Sequence, residues 1–333
     1  MSGQSLSVAV IYNPVELGGN AVVQGVVDGA RDVHDAITAL GHHASLLRVD
    51  EGVRPFVEAL ERLRPDVVFN LCEGFRESSV GEFGIAALLD LLGIPYTGSG
   101  ALALAIALNK PLAKTLFTAR GIPTPRFSVY ESMPEQLPSL KFPWMLKLAA
   151  EDASLGITAD NVVTDNASAV RRLQQLFDEF RAPVLVEEFV DGREFTVPLL
   201  DGRPLLVEEI EFDVAQFNAA PKIVGFRAKW VEGSAEFGGT RPVFAPQIED
   251  GPREEMLRLA VEVAEAIGLR DYARVDFRMD GAGRLFVLEA NPNPDISPGS
   301  GYRRALDAAG IPFAQFITTL LDNAASRASR PGR

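Results

Sequence analysis

The stretch YARVDFRMDGAGRLFVLEAN, residues 272–291, holds two apolar strand patterns separated by DGAG. DGAG is a typical hairpin turn, so we expect the two strands to pair in antiparallel fashion. Side chains alternate along a strand, so Glu289 and Asn291 share one face, where Asp276 of the first strand can join them. Two carboxylates and an amide oxygen suit Mg²⁺. A solvated strand end, whose charges pair with Arg or Lys, explains the same residues and remains the alternative.

The composition of the 333-residue chain favours folded domains that do not bind nucleic acid. Hydrophobic residues make up 47% and charged residues 23% of the sequence, which excludes a disordered chain. A net charge of −13 is unlike the basic surface that binds phosphate backbones. The one cysteine, Cys72, favours a reducing compartment, and the N-terminus has no pattern of a secretion signal. We expect a soluble, cytoplasmic protein of two or three domains without a membrane partner.

The first third of the chain alternates strand and helix patterns. The segments LSVAVIY, HASLLRV and PDVVFNL are apolar strands with helical segments between them, and IPYTG is a further short strand. This alternation predicts a doubly wound parallel sheet, that is, an α/β fold.

The later part of the chain is dominated by antiparallel strand patterns. PVLVEEFVDGREFTVPLLDGRPLLVEEIEF is predicted to form consecutive antiparallel strands with turns at Asp191-Gly192 and Asp201-Gly202. The polar segment 213–241 has little periodicity, and a loop of this length in a compact domain is usually a functional lid or disordered.

Two lysines are candidates for holding a polyphosphate. Lys110 begins a helix with Pro111 behind it, and Lys147 ends the strand PWMLKL shortly before the small-residue loop ASLG. Ammonium groups and backbone N–H donors of such a loop can cradle phosphates. Taken singly, Lys147 is more simply explained as a charged residue that ends a strand at the surface. Glu187 and Glu194 stand at the ends of two strands, where they could contact adenine and ribose, although surface hairpins often carry glutamates.

The order of these motifs resembles that of the ATP-grasp carboxylate–amine ligases, and most closely that of the D-alanine–D-alanine ligase family. LLDLLGIPYTGSGALALAIALNK (88–110) is similar to the family's stretch before its first ATP lysine, and LEANPNPDISPGSG (288–301) is similar to its C-terminal substrate segment. The resemblance implies an N-terminal Rossmann-like pre-ATP-grasp domain over 1–105. It also implies a central α+β subdomain over 106–186, and a C-terminal α+β subdomain with an antiparallel sheet, metal site and lid over 187–333.

The resemblance also implies roles for particular residues. ATP would be bound by Lys110, Lys147, Ser154, Glu187, Glu188, Phe189, Val190, Glu194, Lys229 and Leu288. Two Mg²⁺ ions, which Mn²⁺ can replace, would be held by Asp276, Glu289 and Asn291. Arg274 would stabilise the oxyanion of a tetrahedral intermediate, and the acceptor amino acid would contact Ser300, Gly301 and Asp295. Catalytic positions would further include Lys229, Ser154, Trp230 and Glu16.

The implied reaction has two steps. A donor carboxylate attacks the γ-phosphate of ATP to give an acyl phosphate and ADP, and the amine of a second amino acid then displaces phosphate. Positioning and charge stabilisation dominate such catalysis. An acyl phosphate is hydrolysed by water, which gives the lid over 213–241 a purpose. The family resemblance further implies a homodimer.

Positions that would face the amino acids depart from the family pattern. Ala153 occupies the position of a family serine, with Ser154 beside it, and Trp230 occupies that of a lid tyrosine. Glu16 is the stand-in for an N-terminal glutamate, and Asp295 aligns with a glycine. D-alanyl-D-alanine synthesis and a specialised ligase with a different donor therefore both remain open.

Two other functional classes fit the sequence less well than a ligase. A catalytically silent ATP-grasp protein with a binding or regulatory role has no need of the metal triad together with both lysines. A dehydrogenase on the N-terminal sheet is disfavoured because no glycine fingerprint follows the first strand.

Overall fold

The structure is a computed structural model. It describes residues 5–13, 20–49, 51–76, 78–150, 156–213, 215, 217, 221–225, 233–244 and 246–328, without the side chains of 20–24 and 328. The labels below number the elements within these ranges. None of the helices described is long and apolar enough to span a membrane.

The N-terminal part is a parallel sheet covered by helices. Its strands are β1 (Ser7–Tyr12), β2 (His43–Arg48) and β3 (Val67–Leu71), in the order β2-β1-β3. Helices α1 (Asn20–Ala39) and α2 (Val53–Leu63) connect these strands, and α3 (Gly81–Leu92) follows β3. The predicted strand IPYTG is reduced to an isolated parallel bridge between Val68 and Tyr96. The doubly wound pattern of the sequence is thus confirmed.

Two helices lead from this sheet to the central part of the chain. They are α4 (Ala101–Leu108) and α5 (Lys110–Ala119), separated only by Asn109. The Asn109 side chain accepts a hydrogen bond from the backbone N–H of Leu112, and Pro111 lies in the first turn, where its missing N–H leaves no helical bond unmade. The backbone N–H of Lys110 also donates to Ala149 O, so the start of α5 is fixed against the central sheet.

The central sheet is antiparallel and has the order β4-β7-β5-β6. Its strands are β4 (Phe127–Tyr130), β5 (Trp144–Leu148), β6 (Val162–Val163) and β7 (Val184–Glu188), and helix α6 (Asn166–Phe180) covers one face. Trp144 and Leu146 pack there against Leu173 and Leu176. The opposite face is available to the cavity described below.

The C-terminal sheet has the order β11-β10-β8-β12-β13, with β9 paired to β8. Its strands are β8 (Gly192–Leu200), β9 (Arg203–Pro204), β10 (Glu208–Phe212), β11 (Thr240–Val243), β12 (Tyr272–Asp280) and β13 (Leu285–Asn291). The short helix α7 (Ala235–Gly238) precedes β11, and α8 (Asp250–Ile267) packs beneath the sheet.

One of the two predicted Asp-Gly turns is wrong. Asp191-Gly192 does not join paired strands, because β7 belongs to the central sheet and β8 to the C-terminal sheet. Gly192 pairs with Asp280 of β12, and a Cβ atom at position 192 would lie 2.0 Å from Met279 O. The glycine therefore allows a close approach between strands. Asp201-Gly202 is a turn as predicted, with both residues at positive φ between β8 and β9.

The last helices return to the first sheet. Helices α9 (Gly301–Ala308) and α10 (Phe313–Ala328) end the described chain. Val8, Val10, Phe316 and Leu320 belong to one buried core, which α10 shares with β1. The predicted domain boundaries at 105/106 and 186/187 stay predictions.

A buried carboxylate also links the last helix to the N-terminal part of the chain. Asp271 is 4% exposed and accepts hydrogen bonds from the guanidinium of Arg327 at 2.8 Å and from the backbone N–H of Gly98 at 2.7 Å. It therefore ties α10 to the loop before α4.

Candidate active site

A cavity of about 760 Å³ lies between the three sheets, within the size range of small-molecule sites. All of the predicted site residues that the structure describes line this cavity, except Lys110. They are Lys147, Glu187, Glu188, Phe189, Val190, Glu194, Arg274, Asp276, Leu288, Glu289, Asn291, Asp295, Ser300 and Gly301. Residues that are far apart in the sequence thus line one cavity, and their roles in binding and catalysis stay predictions.

Part of the predicted site cannot be placed. Glu16, Ala153, Ser154, Lys229 and Trp230 lie outside the described residues, as does part of the predicted lid over 213–241. Their predicted roles stay predictions.

The hairpin predicted from residues 272–291 is confirmed. Strands β12 and β13 are antiparallel, and Asp276 lies directly opposite Glu289, while Arg274 lies opposite Asn291. A bulge follows Asp276, because Phe277 pairs with Val287 and leaves Leu288 without an opposite residue. Leu288 and Glu289 therefore both line the cavity, although neighbouring residues of a regular strand point to opposite faces.

Arg274 and Asp276 form a two-pronged ion pair on the cavity face of β12. The Nε atom of Arg274 lies 2.7 Å from Oδ1 of Asp276, and a terminal nitrogen lies 2.9 Å from Oδ2. Burial opposes the charge of Arg274, but the carboxylates of Asp276 and Glu289 outweigh burial and raise its pKa. Arg274 therefore offers a fixed positive charge beside the two carboxylates.

The oxygen ligands at the hairpin fit a magnesium ion. Asp276, Glu289 and Asn291 all line the cavity from adjacent, paired strands. No group of three or more His, Cys, Asp or Glu side chains with metal-binding geometry occurs among the described residues. A set of two carboxylates and one amide suits Mg²⁺, which takes few protein ligands and completes its shell with water and phosphate oxygens. The carboxylate oxygens of Asp276 keep further lone pairs while Arg274 is bound.

Glu187 is buried between two lysines. Its Oε1 lies 2.6 Å from Nζ of Lys147, and its Oε2 lies 2.8 Å from Nζ of Lys114. Burial works to raise the pKa of Glu187, but the two ammonium groups outweigh it and hold this pKa below its ordinary value. Burial lowers the pKa of Lys114, while Glu187 opposes that shift. The carboxylate thus fixes Lys147 at the wall of the cavity.

Lys110 lies beside Glu289 of the hairpin. Its Nζ atom lies 3.6 Å from Oε2 of Glu289, and its side chain is 7% exposed. The charge of Lys110 is therefore directed at the same carboxylate that faces Asp276.

The segment from Glu187 to Glu194 forms the edge of the cavity between the central and C-terminal sheets. The backbone N–H of Phe189 donates to Pro143 O at 2.8 Å. Glu188 accepts a hydrogen bond from the backbone N–H of Lys141 at 2.9 Å. Glu194 pairs with Arg278 across β8 and β12, with an N–O distance of 2.5 Å. This edge joins apolar surface to fixed polar groups, an arrangement suited to a purine base and its ribose.

The proline-rich loop after β13 closes the other end of the cavity. Asp295 accepts hydrogen bonds from the backbone N–H and the hydroxyl of Ser297, at 2.8 and 2.9 Å. The Ser300 hydroxyl oxygen accepts from the N–H of Arg303 and caps the start of α9. Asn293 donates to Glu82 at 3.0 Å, which ties the loop to the N-terminal part.

Several cavity or near-cavity residues were missed by the sequence analysis. Lys114 lies one helical turn after Lys110, and Arg278 lies four residues after Arg274 on the same strand face, so their spacing was an available signal. Glu73, Glu82 and Glu208 also line the cavity, and no motif indicated them.

Three comparisons with known proteins agree with this geometry. Residues 116–322 match the family model described as D-ala D-ala ligase C-terminus. The chain is 34% identical over 299 residues to a D-alanine--D-alanine ligase from Gloeobacter violaceus, covering 88% of this chain and 92% of that protein. It is 32% identical over 311 residues to the uncharacterized protein y4sG from Sinorhizobium fredii, covering 90% of this chain and 88% of that protein.

A solved structure shares the fold. The crystal structure of D-alanine--D-alanine ligase from Bacillus anthracis complexed with ATP has a TM-score of 0.78 and 20% sequence identity, covering 98% of this chain and 100% of that one. The predicted fold class and family are therefore confirmed. The chain belongs to the D-alanine–D-alanine ligase family.

Proposed function

We propose that the protein joins the carboxylate of one amino acid, or amino-acid-like compound, to the amine of a second, with conversion of ATP to ADP and phosphate. As a member of its family, the protein is an ATP-dependent ligase that forms a peptide-type bond. The observation that carries the proposal is one cavity that is lined by Lys147 and Arg274 and also by Asp276 and Glu289. The same cavity thereby combines positive side chains that can bind the phosphates of ATP with oxygen atoms that can bind the metal ion accompanying ATP.

Each step of the reaction is assigned to residues of this chain. In the first step, a carboxylate oxygen of the donor bonds to the γ-phosphorus and ADP leaves, while Lys147 holds phosphate oxygens. In the second step, the amine nitrogen in its neutral form bonds to the acyl carbon, the C–O bond to phosphate breaks, and the proton that the nitrogen loses leaves with phosphate or water. Arg274 stabilises the negative oxygen of the tetrahedral intermediate, and Asp276 keeps its guanidinium in place.

Mg²⁺ is part of the proposal. Asp276, Glu289 and Asn291 would hold it, and it would neutralise phosphate charge during transfer. Lys110 adds a further positive charge beside Glu289.

The proposed substrates are amino acids, with D-alanine as the first candidate for both positions. The relative from Gloeobacter violaceus bears the name of that reaction. Asp295, where the family has glycine, and the carboxylates of Glu73 and Glu82 leave a specialised substrate pair as the second candidate.

We also infer a homodimer in the cytoplasm. Leu91 on α3 and Leu102 on α4 are 86% and 74% exposed, and these two helices pack against each other. Contiguous exposed apolar surface marks subunit interfaces, and we infer such a surface on these two helices. The one cysteine, Cys72, is buried, which fits a reducing compartment.

The test is an ADP-release screen over D- and L-amino acids, offered singly and in pairs, with the mass of each product measured. The proposal expects ADP release with one amino acid that fills both positions or with a pair, and a product one water lighter than the sum of the two joined molecules. ADP release without such a product, or no release with any pair, would contradict it.

A further inference from the structure

The cavity contains a carboxylate that the proposed mechanism does not use. Glu208 begins β10, is 4% exposed and lines the cavity. Its neighbour across the strands is Thr196 of β8, which in turn lies opposite Asp276 of β12. Asp276 lies opposite Glu289 of β13. Directly opposed residues share a face, so four side chains form one row along the cavity wall.

This row fixes the distance of Glu208 from the site of phosphoryl transfer. Neighbouring strands are about 4.8 Å apart, which places the backbone of Glu208 roughly 10 Å from that of Asp276 and roughly 14 Å from that of Glu289. Glu208 is therefore at the far end of the row from the phosphate-binding residues.

The charge of Glu208 lacks an ion-pair partner among the residues that the structure describes. One hydrogen bond is present, from the Thr196 hydroxyl to Oε2 at 2.9 Å. Burial raises the pKa of Glu208, and the positive charges of Arg274 and Arg304 act on it only from beyond ion-pair distance. Arg274 is bound to Asp276, and Arg304 donates to Gly299 O. A buried carboxylate in this state is unfavourable unless a ligand compensates it.

The charges of the expected substrates indicate which of them can neutralise the negative charge of Glu208. ATP, the donor carboxylate and the acyl phosphate are negative at the atoms that react, whereas an amine substrate arrives as an ammonium ion at neutral pH. The positive charge of Arg304 works to lower the pKa of Glu208. Arg304 belongs to α9, and the acceptor carboxylate is predicted to bind at Ser300 and Gly301, where this helix begins. An amino-acid donor carries an ammonium group as well, but the nearness of Glu208 to this helix assigns the positive group beside it to the acceptor.

We propose that Glu208 binds an ammonium group of the amine substrate and so positions that substrate for attack. The inference rests on the proposed ligase function and deepens it. The ammonium is either the protonated form of the reacting amine, which gives up a proton to water before it attacks, or a second ammonium on the side chain of the same substrate, and the two sources are separable by experiment.

The test compares Glu208→Gln with the wild type. Glutamine keeps the shape and the acceptor for Thr196 but removes the charge. The matched control is Glu211→Gln on the same strand, because Glu211 pairs with Arg241 and does not belong to the cavity wall. D-alanine, D-lysine and hydroxylamine serve as amine probes, since hydroxylamine is largely uncharged at neutral pH.

We expect Glu208→Gln to raise KM for the ammonium probes on the order of 10- to 100-fold, as for loss of a charge-assisted hydrogen bond. KM for ATP and turnover with hydroxylamine should stay unchanged, and Glu208→Asp should restore part of the affinity. An equal loss for D-alanine and D-lysine assigns the contact to the reacting amine. A loss confined to D-lysine assigns it to a side-chain ammonium.

Other outcomes would overturn the inference. Unchanged KM for both ammonium probes in an active enzyme, or an equal loss with hydroxylamine, would do so while leaving the ligase function intact. A wild type that releases no ADP with any pair would remove the proposed function and this inference together. Urea unfolding adds an independent readout: Glu208→Gln should be at least as stable as the wild type, and a less stable variant would mean that Glu208 has a structural role.

Discussion

The ammonium nitrogen of Lys147 lies 2.6 Å from Oε1 of Glu187, on the neighbouring strand of the central sheet. Lys147 is 8% exposed, so its charge would be unfavourable there without this carboxylate. The pair holds a positive charge in a fixed position at the cavity wall before any phosphate arrives.

Replacing Lys147 with alanine should therefore weaken ATP binding. We expect KM for ATP to rise on the order of 10- to 100-fold, because a charge-assisted contact to phosphate is lost. Initial rates of ADP release at varied ATP concentration measure this. Lys141→Ala is the control, since Lys141 is exposed on the preceding loop. Ordinary ATP affinity of Lys147→Ala would mean that Lys147 only ends the strand.

Glu187→Gln should destabilise the fold by about 3–5 kcal/mol, because two buried ammonium groups lose their shared carboxylate. Adding Lys114→Met should recover part of this loss, since one of the two unpaired charges is then removed. Urea unfolding of both variants and of Glu179→Gln, an exposed position on α6, measures the effect. Additive losses would show that the lysine and the glutamate do not interact.

The same carboxylate makes stability depend on pH. The pKa of Glu187 is lower in the folded protein than its ordinary value of 4.5. Its contribution is therefore complete above pH 4.5 and is lost as pH falls through the lower folded pKa. Unfolding free energies at about pH 6 and about pH 3 should differ more for the wild type than for Glu187→Gln. An equal difference would contradict the assignment.

Glu289→Gln should reduce ADP formation on the order of 100-fold or more, because a ligand for the counterion of ATP loses its charge. The fold should be retained, as judged by circular dichroism and thermal unfolding. Glu262→Gln, on the exposed side of α8, is the matched control. Full turnover of Glu289→Gln would refute the predicted metal ligands.

The double variant Leu91→Glu, Leu102→Glu should convert the inferred dimer to a monomer, because charges would replace exposed apolar surface on α3 and α4. Light scattering after size-exclusion chromatography gives the mass. Val170→Glu, an exposed apolar position on α6, should leave the mass unchanged. A wild type that is already monomeric would refute the dimer.

The hairpin illustrates what local pattern can predict. The alternation of LFVLEAN correctly placed Glu289 and Asn291 on one face with Asp276. The bulge after Asp276, which turns Leu288 to the same face, depends on how two strands align and leaves no local pattern.

Other features depend on contacts that the sequence does not display. Glu208 lines the cavity because the pairing of four strands in the C-terminal sheet aligns it with Thr196, Asp276 and Glu289. Asp191-Gly192 has the composition of a hairpin turn, yet Gly192 is needed because its missing Cβ atom lets the backbone lie close to Met279 of the neighbouring strand. The family resemblance supplied the order of the predicted binding residues, whereas Lys114 could have been found from its helical spacing after Lys110.

The core shared by β1 and α10 has a consequence for how the chain is made. Val8 and Val10 leave the ribosome long before their packing partners Phe316 and Leu320. Until then, α1 covers part of this core through Val33 and Ile37, while the part that α10 covers stays exposed. Synthesis that stalls before α10 should therefore leave a nascent chain that holds chaperones at its N-terminal end, and the first sheet to emerge is the last to be completed.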